Sequence, residues 1–373
     1  MHMQQQRISS IDAVRALALL GILLVHSHDQ FNIFFRSLPE CSLDGVTDWL
    51  YQHVFLAKAF LVFSFLFGLS FALQMSRAAA RGVDFRLRFC WRLILLALFG
   101  LIHSFFYCGD ILLIFAITGF VPVLLWKVRI RYLLIAAGLC FLQPLAWYHY
   151  LTGQPDAPYQ WYQHVCQTLA MPGAPASATA TWLQMGCWNV SCGVVHSFLY
   201  TIYTYRIWCL IGFFLTGVVA GRLQLFTMRQ GRLLYIGVAG AIVYIMTLLL
   251  YHLIDDGQGS TLVCKLWINQ AFVFMVVPLM AWLLSQSSLQ RITTALVPIG
   301  RCTLSCYIMQ SVVMLWLICG YGLGVGPHLS TSAYMGIGLL LYIVQLLASR
   351  LWLKKFKYGP LEGIWRYLTR LGM

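Results

Sequence analysis

The stretch Asp12-Ala-Val-Arg15-Ala-Leu-Ala-Leu-Leu-Gly21-Ile-Leu-Leu-Val-His26-Ser27-His28-Asp29 decides how the rest of the chain is read. From Ala16 to Val25 it carries no polar side chain, and that apolar run is closed at one end by Arg15 and at the other by His26. A segment of this kind is a membrane-crossing helix with a few costly polar groups, and such groups face a cavity or one another. Arg15 and His26 are separated by three helical turns plus roughly 20°, so both lie on one face, about 16 Å apart along the axis. Arg15 is therefore expected near one membrane surface and His26 deep toward the other.

The rest of the sequence repeats the pattern. Sixty per cent of the 373 residues are hydrophobic and only 10% are charged, whereas a soluble domain carries about 25% charged residues. The 13 Trp and 19 Tyr suit interfacial belts. Ten spans are expected, near 11–33, 54–75, 90–107, 111–127, 131–150, 207–226, 233–253, 264–285, 297–320 and 334–353, the fourth of them short. The expected class is an all-α polytopic membrane protein. It has an N-terminal membrane module (1–205, five helices and a long outer loop) and a C-terminal one (206–373, five helices and a tail). No cleavable signal peptide is evident, because the first apolar run lacks a small-residue cleavage site. It is read as a retained helix.

Charge orients the bundle. The net charge is +14, but no nucleic-acid motif accompanies it, and nucleic acid is excluded as a partner. All of the 25 basic residues except Arg36, Lys58, Arg206 and Lys265 fall on one side. Lysine and arginine collect on the cytoplasmic side, so both termini are expected in the cytoplasm of a bacterium, with the chain in the cytoplasmic membrane. Segments 36–50, 155–195 and 255–262 are expected outside, and 77–89 and 354–373 inside. Acidic residues other than Asp12, Asp84 and Glu362 map outside, as does every histidine except His2. The outer loop 151–205 begins with Pro155, Pro158, Pro172, Gly173 and Pro175 and is expected to be irregular there. Its aromatic second part, from Thr181, is expected to lie on the bilayer or cap the bundle. Cys187 and Cys192 in this loop are candidates for pairing if the outside is oxidising.

Three constellations carry candidate chemistry. The first is Arg15 with His26, and His28 beside it. The second is His103 near the outer end of the third span, with Asp110 across the Gly109 turn. A carboxylate there can fix the imidazole tautomer or simply cap the following helix. The third is Gly300-Arg301 with Ser305, Tyr307 and Gln310. Gln310 needs a hydrogen-bond partner in mid-span and is expected to face the interior.

The first of these resembles the first-helix signature of the transmembrane acyltransferase superfamily. A closer resemblance runs along almost the whole chain, on His103-Ser104, Gly109-Asp110-Ile111-Leu112, Ile299-Gly300-Arg301, Tyr307, Gln310-Ser311, Gly320-Tyr321-Gly322-Leu323-Gly324 and Lys357-Tyr358-Gly359-Pro360-Leu361-Glu362. On these the chain is similar to the YeiB-like bacterial membrane protein family (domain of unknown function 418). What the superfamily resemblance implies is acyl transfer. Cytoplasmic acyl-CoA, as co-substrate, would bind through Arg15, Arg92 and Arg301. His26 or His103, with Asp110, would be the base, and His28 and Gln310 would contact substrate. Many YeiB-like sequences have Asn at the position of His26, which raises the standing of His103. The acceptor would be an extracytoplasmic glycan, lipid headgroup or small molecule. Membrane lipid and a second copy of the chain are further expected partners; no metal and no tightly bound cofactor are expected. The rival reading is a transporter or channel with a His-lined outer pathway. A third is a non-catalytic scaffold, which a cavity connecting both faces would argue against.

Overall fold

The structure is a computed structural model and describes residues 9–30, 41–173, 175, 179–227, 230–254 and 260–371. His2, Arg7, Arg36, Glu40, Arg229, Asp255 and Asp256, used above for orientation, lie outside the described residues. All regular elements among the described residues are helical. In chain order they are α1 (Ser9–Val25), α2 (Asp44–Leu50), α3 (Ala59–Ala79), α4 (Arg86–Phe106), α5 (Leu112–Thr118), α6 (Phe120–Leu124), α7 (Ile130–Leu142), α8 (Pro144–Leu151), α9 (Ala157–Thr168), α10 (Trp182–Trp188), α11 (Val194–Tyr203), α12 (Arg206–Arg222), α13 (Gln230–Ile254), α14 (Ser260–Leu283), α15 (Gln290–Arg301), α16 (Thr303–Ile318), α17 (Thr331–Lys355) and α18 (Pro360–Leu371). The protein is an all-α polytopic membrane protein.

Among the described residues, seven segments are long and apolar enough to cross a membrane, and nine if each of two bent pairs counts as one span. The expected fourth span, 111–127, is instead the short pair α5 and α6. Pro122 lies in the first turn of α6 and lacks the N–H that would bond the carbonyl of Thr118, so the helix restarts there. The expected span 297–320 is bent by 76° between α15 and α16, at Cys302, and α10–α11 meet α12 at 79°. The outer loop also departs from expectation. Its proline-rich first part contains α9, with Pro158 in the first turn, where a missing N–H costs nothing and the fixed φ suits a helix.

Lipid supplies no hydrophobic drive between helices, so close packing must come from small residues. Gly217 and Gly221 of α12 face α3: a Cβ on Gly217 would run into the carbonyl of Phe65, and one on Gly221 into Ala72. Gly68 of α3 answers them, lying against the carbonyl of Phe214. In the same way Gly300 of α15 lies on the carbonyl of Asp12 in α1, and Gly237 and Gly240 of α13 lie on α14. α1 is the most enclosed span, with 72% of its apolar window buried against 17% for that of α13. It packs against α3, α14, α15, α16 and α17, and the Tyr342 hydroxyl of α17 donates to the Ala16 carbonyl at 2.8 Å. The interior of the bundle is thus built around the helix that carries Arg15 and His26.

Candidate functional site

Arg15, Leu19, Ile22 and His26 form one stripe down α1, and all four line cavities. At its lower end the Arg15 guanidinium donates to Asp12 Oδ1 at 2.6 Å and to the Ser70 hydroxyl of α3. At its upper end α1 passes into a π-helical turn, His26–Gln30. One extra residue per turn re-aims the side chains, and such turns recur at functional sites.

Arg15 opens onto a cavity of about 470 Å³ whose lining also holds Arg77, Arg81, Arg88, Arg92 and Arg366. Asp12 is the one acidic residue among the described residues that line it. The Nε atoms of Arg77 and Arg92 are buried and have no hydrogen-bond partner among the described residues. Guanidinium N–H groups cannot accept, so they need an anion or a carbonyl, and several clustered cations raise a strong positive potential. α18 closes one wall. Its Trp365 donates to the Arg92 carbonyl at 3.1 Å, and the Arg92 guanidinium lies 4.2 Å from the centre of the Trp365 ring. Arg301 is further off: it donates to the Lys357 carbonyl at 2.9 Å and lines a second, smaller cavity of about 260 Å³.

That second cavity shares Arg15, Ser70, Gln74 and Arg92 with the arginine-lined mouth. It shares Ile22, Ile111 and Phe115 with a third cavity of about 460 Å³, which holds His26, Tyr162, Trp188, His196 and Arg206. Arg15 and His26 therefore line two adjoining cavities, with Ile22 common to both, and the three cavities follow one another from Arg77 to Trp188.

Beside their junction sits a buried dyad. α4 ends at Phe106, and the chain turns through Gly109 into α5. The Asp110 Oδ2 accepts the Leu113 N–H at 2.9 Å, and its Oδ1 lies 2.7 Å from His103 Nδ1. Both side chains are essentially inaccessible, at 0% and 1%. Gly100 makes this possible, since a Cβ there would meet the Leu113 nitrogen at 2.8 Å. A carboxylate facing Nδ1 favours the tautomer with its hydrogen on Nδ1, which in a neutral imidazole leaves the lone pair on Nε2. Nε2 has no partner among the described residues. The Tyr307 hydroxyl accepts the Ile111 N–H at 3.3 Å and donates to Asp110 Oδ1 at 3.4 Å. Two tyrosines lie near both imidazoles. The Tyr107 ring is 4.8 Å from His26 and 6.0 Å from His103, and the Tyr307 ring is 6.2 Å and 5.0 Å away.

The other sequence candidates fall elsewhere. His28 Nε2 is 2.6 Å from Asp48 Oδ1, and its ring stacks on Tyr51 at 3.8 Å. Gln310 donates to Gln345 at 2.8 Å, and Gln345 donates in turn to the Cys306 carbonyl at 3.1 Å. This is a buried interhelical relay, from the Gln310 amide through Gln345 to the α16 backbone. Cys187 is exposed, Cys192 is buried, and both are free. They belong to one continuous helical segment, on α10 and the π-helical turn after it. That turn caps the bundle: the Asn189 amide donates to the carbonyls of Phe105 and Phe106, both at 3.2 Å. Sequence reading missed Ser70, Gln74 and Tyr107 as site residues, and treated Arg77, Arg81, Arg88 and Arg366 as orientation charges alone. Ser70 was detectable as a polar residue inside an apolar run; Tyr107 had no such signal.

Comparison with known proteins places residues 220–372 in a family described as "Protein of unknown function (DUF418)". The chain is 27% identical to "Uncharacterized protein YxaH" of Bacillus subtilis (strain 168), over 98% of this chain and 95% of that one. It is 23% identical to an "Uncharacterized 39.9 kDa protein in amylase 3'region" of Bacillus acidopullulyticus, over 98% and 94%. With "Uncharacterized protein YeiB" of Escherichia coli (strain K12) it shares 30% identity over 22% of this chain and 21% of that one. No solved structure matches it.

Proposed function

We propose, from the premise that this chain belongs to the YeiB-like family of unknown function (DUF418), that it is a transmembrane acyltransferase. It would move an acyl group from cytoplasmic acyl-CoA to an extracytoplasmic glycan, lipid or small-molecule acceptor. The observation that carries this reading is the succession of three cavities from an arginine-lined mouth, past a buried His–Asp dyad, to an aromatic vestibule. The orientation follows from the basic side of the chain: the mouth and both termini face the cytoplasm of a bacterial cytoplasmic membrane.

In this reading the phosphates of coenzyme A meet Arg15, Arg77 and Arg92, because guanidinium groups match phosphate oxygens with paired donors. The pantetheine arm runs up the stripe of Leu19 and Ile22. His26, on the vestibule wall, contacts the acceptor. The His103–Asp110 dyad takes its proton, with Asp110 holding the tautomer that leaves Nε2 basic. A bond forms between the acyl carbon and the acceptor oxygen or nitrogen, the carbon–sulfur bond breaks, and the proton ends on the coenzyme A sulfur. Tyr307 is placed to stabilise charge beside the dyad.

The bent pairs favour a second reading, transport, since broken helices expose backbone ends to solutes. Against it at the bend before α16, two of the N–H groups that open the helix are already taken: Glu362 accepts from Leu304 N at 2.7 Å and Ser305 N at 3.2 Å. Calorimetry of purified protein with acetyl-CoA and longer acyl-CoAs separates the two. The enzyme binds them, more weakly as salt rises; a transporter of another solute gives no heat, and that result in a folded sample would end the acyltransferase reading.

A further inference from the structure

Among the described residues that line the vestibule holding His26 there is one guanidinium, that of Arg206, and no carboxylate. Arg206 opens α12. It has no hydrogen bond or ion pair among the described residues; its guanidinium lies instead 4.8 Å from the centre of the Tyr200 ring and 5.9 Å from that of Phe60. Both rings line the same cavity, so they hold the planar group over the cavity space and satisfy it only through their π faces. That arrangement is weakly satisfied. Five N–H donors are left to find acceptors, and the neighbouring N–H groups that open α12 add a positive partial charge. Ser197, Thr201 and His196 complete a polar rim beside it, while the deeper wall toward Ile22 and Phe115 is apolar. The cavity is thus divided: an apolar floor under His26 that suits the acyl chain, and a cationic, hydroxyl-bearing rim.

We infer that the outer vestibule recognises an acceptor carrying an anionic oxygen group, a carboxylate or a phosphate, with Arg206 as its counter-charge. This deepens the acyl-transfer reading and rests on it for the word acceptor; the anion site itself does not. The anion anchors at Arg206, and the hydroxyl or amine to be acylated is presented to His26 on the same cavity wall. The same chemistry is available from a soluble sugar acid or phosphate and from an anionic lipid headgroup.

The test uses purified full-length protein in discs of zwitterionic lipid. Binding of D-glucuronate and glycerol phosphate is compared with that of D-glucose and glycerol, and in a second arm the discs are doped with an anionic phospholipid and thermal stability is read. The anions are expected to bind and their neutral counterparts not. Binding should weaken with salt, fall about tenfold or more in Arg206→Gln, and return largely in Arg206→Lys, which keeps the charge. A response to soluble anions assigns a soluble acceptor; a response confined to doped lipid, and lost in Arg206→Gln, assigns a headgroup. Equal binding of glucose and glucuronate, or an unchanged response in Arg206→Gln in both arms, would overturn the inference. Because anions can also enter the arginine-lined mouth, only the difference between wild type and Arg206→Gln counts, and Arg15→Ala should leave that difference intact. Coenzyme A binding is measured on the same samples. Its absence with the Arg206-dependent anion response retained removes acyl transfer and leaves this site standing; the reverse removes this site alone.

Discussion

Replacing Asp110 by Asn tests the dyad with the smallest change of shape. In the native protein Asp110 Oδ1 faces His103 Nδ1 at 2.7 Å and the Tyr307 hydroxyl at 3.4 Å, and Oδ2 takes the Leu113 N–H at 2.9 Å. An Asn offers one oxygen and one amide nitrogen. If its oxygen keeps the Leu113 N–H, its NH₂ faces Nδ1, which must then accept. The hydrogen moves to Nε2, and the atom that should receive the proton no longer has a lone pair. Loss of a positioned general base costs roughly 10²–10⁴-fold in rate. Stability changes little, since a charge-assisted hydrogen bond becomes a neutral one, a difference of about 1 kcal/mol. Asp110→Ala instead leaves His103 Nδ1 and the Leu113 N–H both buried without partners, at about 1–3 kcal/mol each. Three readouts follow: release of the coenzyme A thiol by membranes given acyl-CoA, thermal stability, and ¹⁵N spectra of labelled histidine, which report the tautomer. The expected pattern is inactive and stable for Asn, inactive and unstable for Ala, with a changed tautomer in Asn. Wild-type turnover in Asp110→Asn would refute the dyad as the base. An unchanged tautomer would show that Asp110 serves only to close the first turn of α5.

At the other end, Arg15→Ala should abolish coenzyme A binding while His26→Ala and His103→Ala retain it and lose only transfer; equal loss in all three, read by calorimetry, would contradict the division of labour. Gly68→Leu should destabilise the α3–α12 contact by about 1–3 kcal/mol or more, because its side chain would enter the Phe214 carbonyl; a wild-type melting temperature would mean the helices are not packed backbone to backbone. A cysteine placed at Asp84 should resist membrane-impermeant thiol reagents in intact cells; modification there would reverse the orientation. Glu362→Ala should loosen α18 and uncap α16, detected as faster proteolysis of the tail, and an unchanged cleavage rate would place the hold on α18 elsewhere, at Trp365.

Within one helix, the sequence was a good guide. The separation of Arg15 and His26 put them on a common stripe, and the structure keeps that stripe facing cavities. The His103–Asp110 pairing was also legible, because the Gly109 turn leaves few residues between them. What was not legible depends on how helices meet. The arginine-lined mouth draws Arg77 from the end of α3, Arg81 from the turn after it, Arg88 and Arg92 from α4 and Arg366 from α18, and no periodicity relates these. Tyr107 looked like one aromatic among many until α1 brought His26 against it. The bend at Cys302 was hidden because residues 297–320 are long and hydrophobic enough on average to be read as one span; what marks the break is Glu362, which reaches over from α18 to cap the start of α16. Pro158 misled because proline ends a helix from within but starts one from its first turn.

The enclosure of α1 bears on how the protein is made. It leaves the ribosome well before three of the helices that wall it in, α15, α16 and α17. Through most of translation α1 must wait in the bilayer or at the insertion machinery with Asp12, Arg15 and His26 aboard. The Asp12–Arg15 pair lies within the helix itself, three residues apart at 2.6 Å, so the two charges travel as a near-neutral unit that needs no other segment, and Ser70 follows as soon as α3 is inserted. His26 lies nearer the far surface, where it can stay wet. A ribosome that stalls before Gly300 leaves a half-built bundle whose first helix still shows lipid the face meant for α15, which is the state a membrane quality-control protease is suited to find.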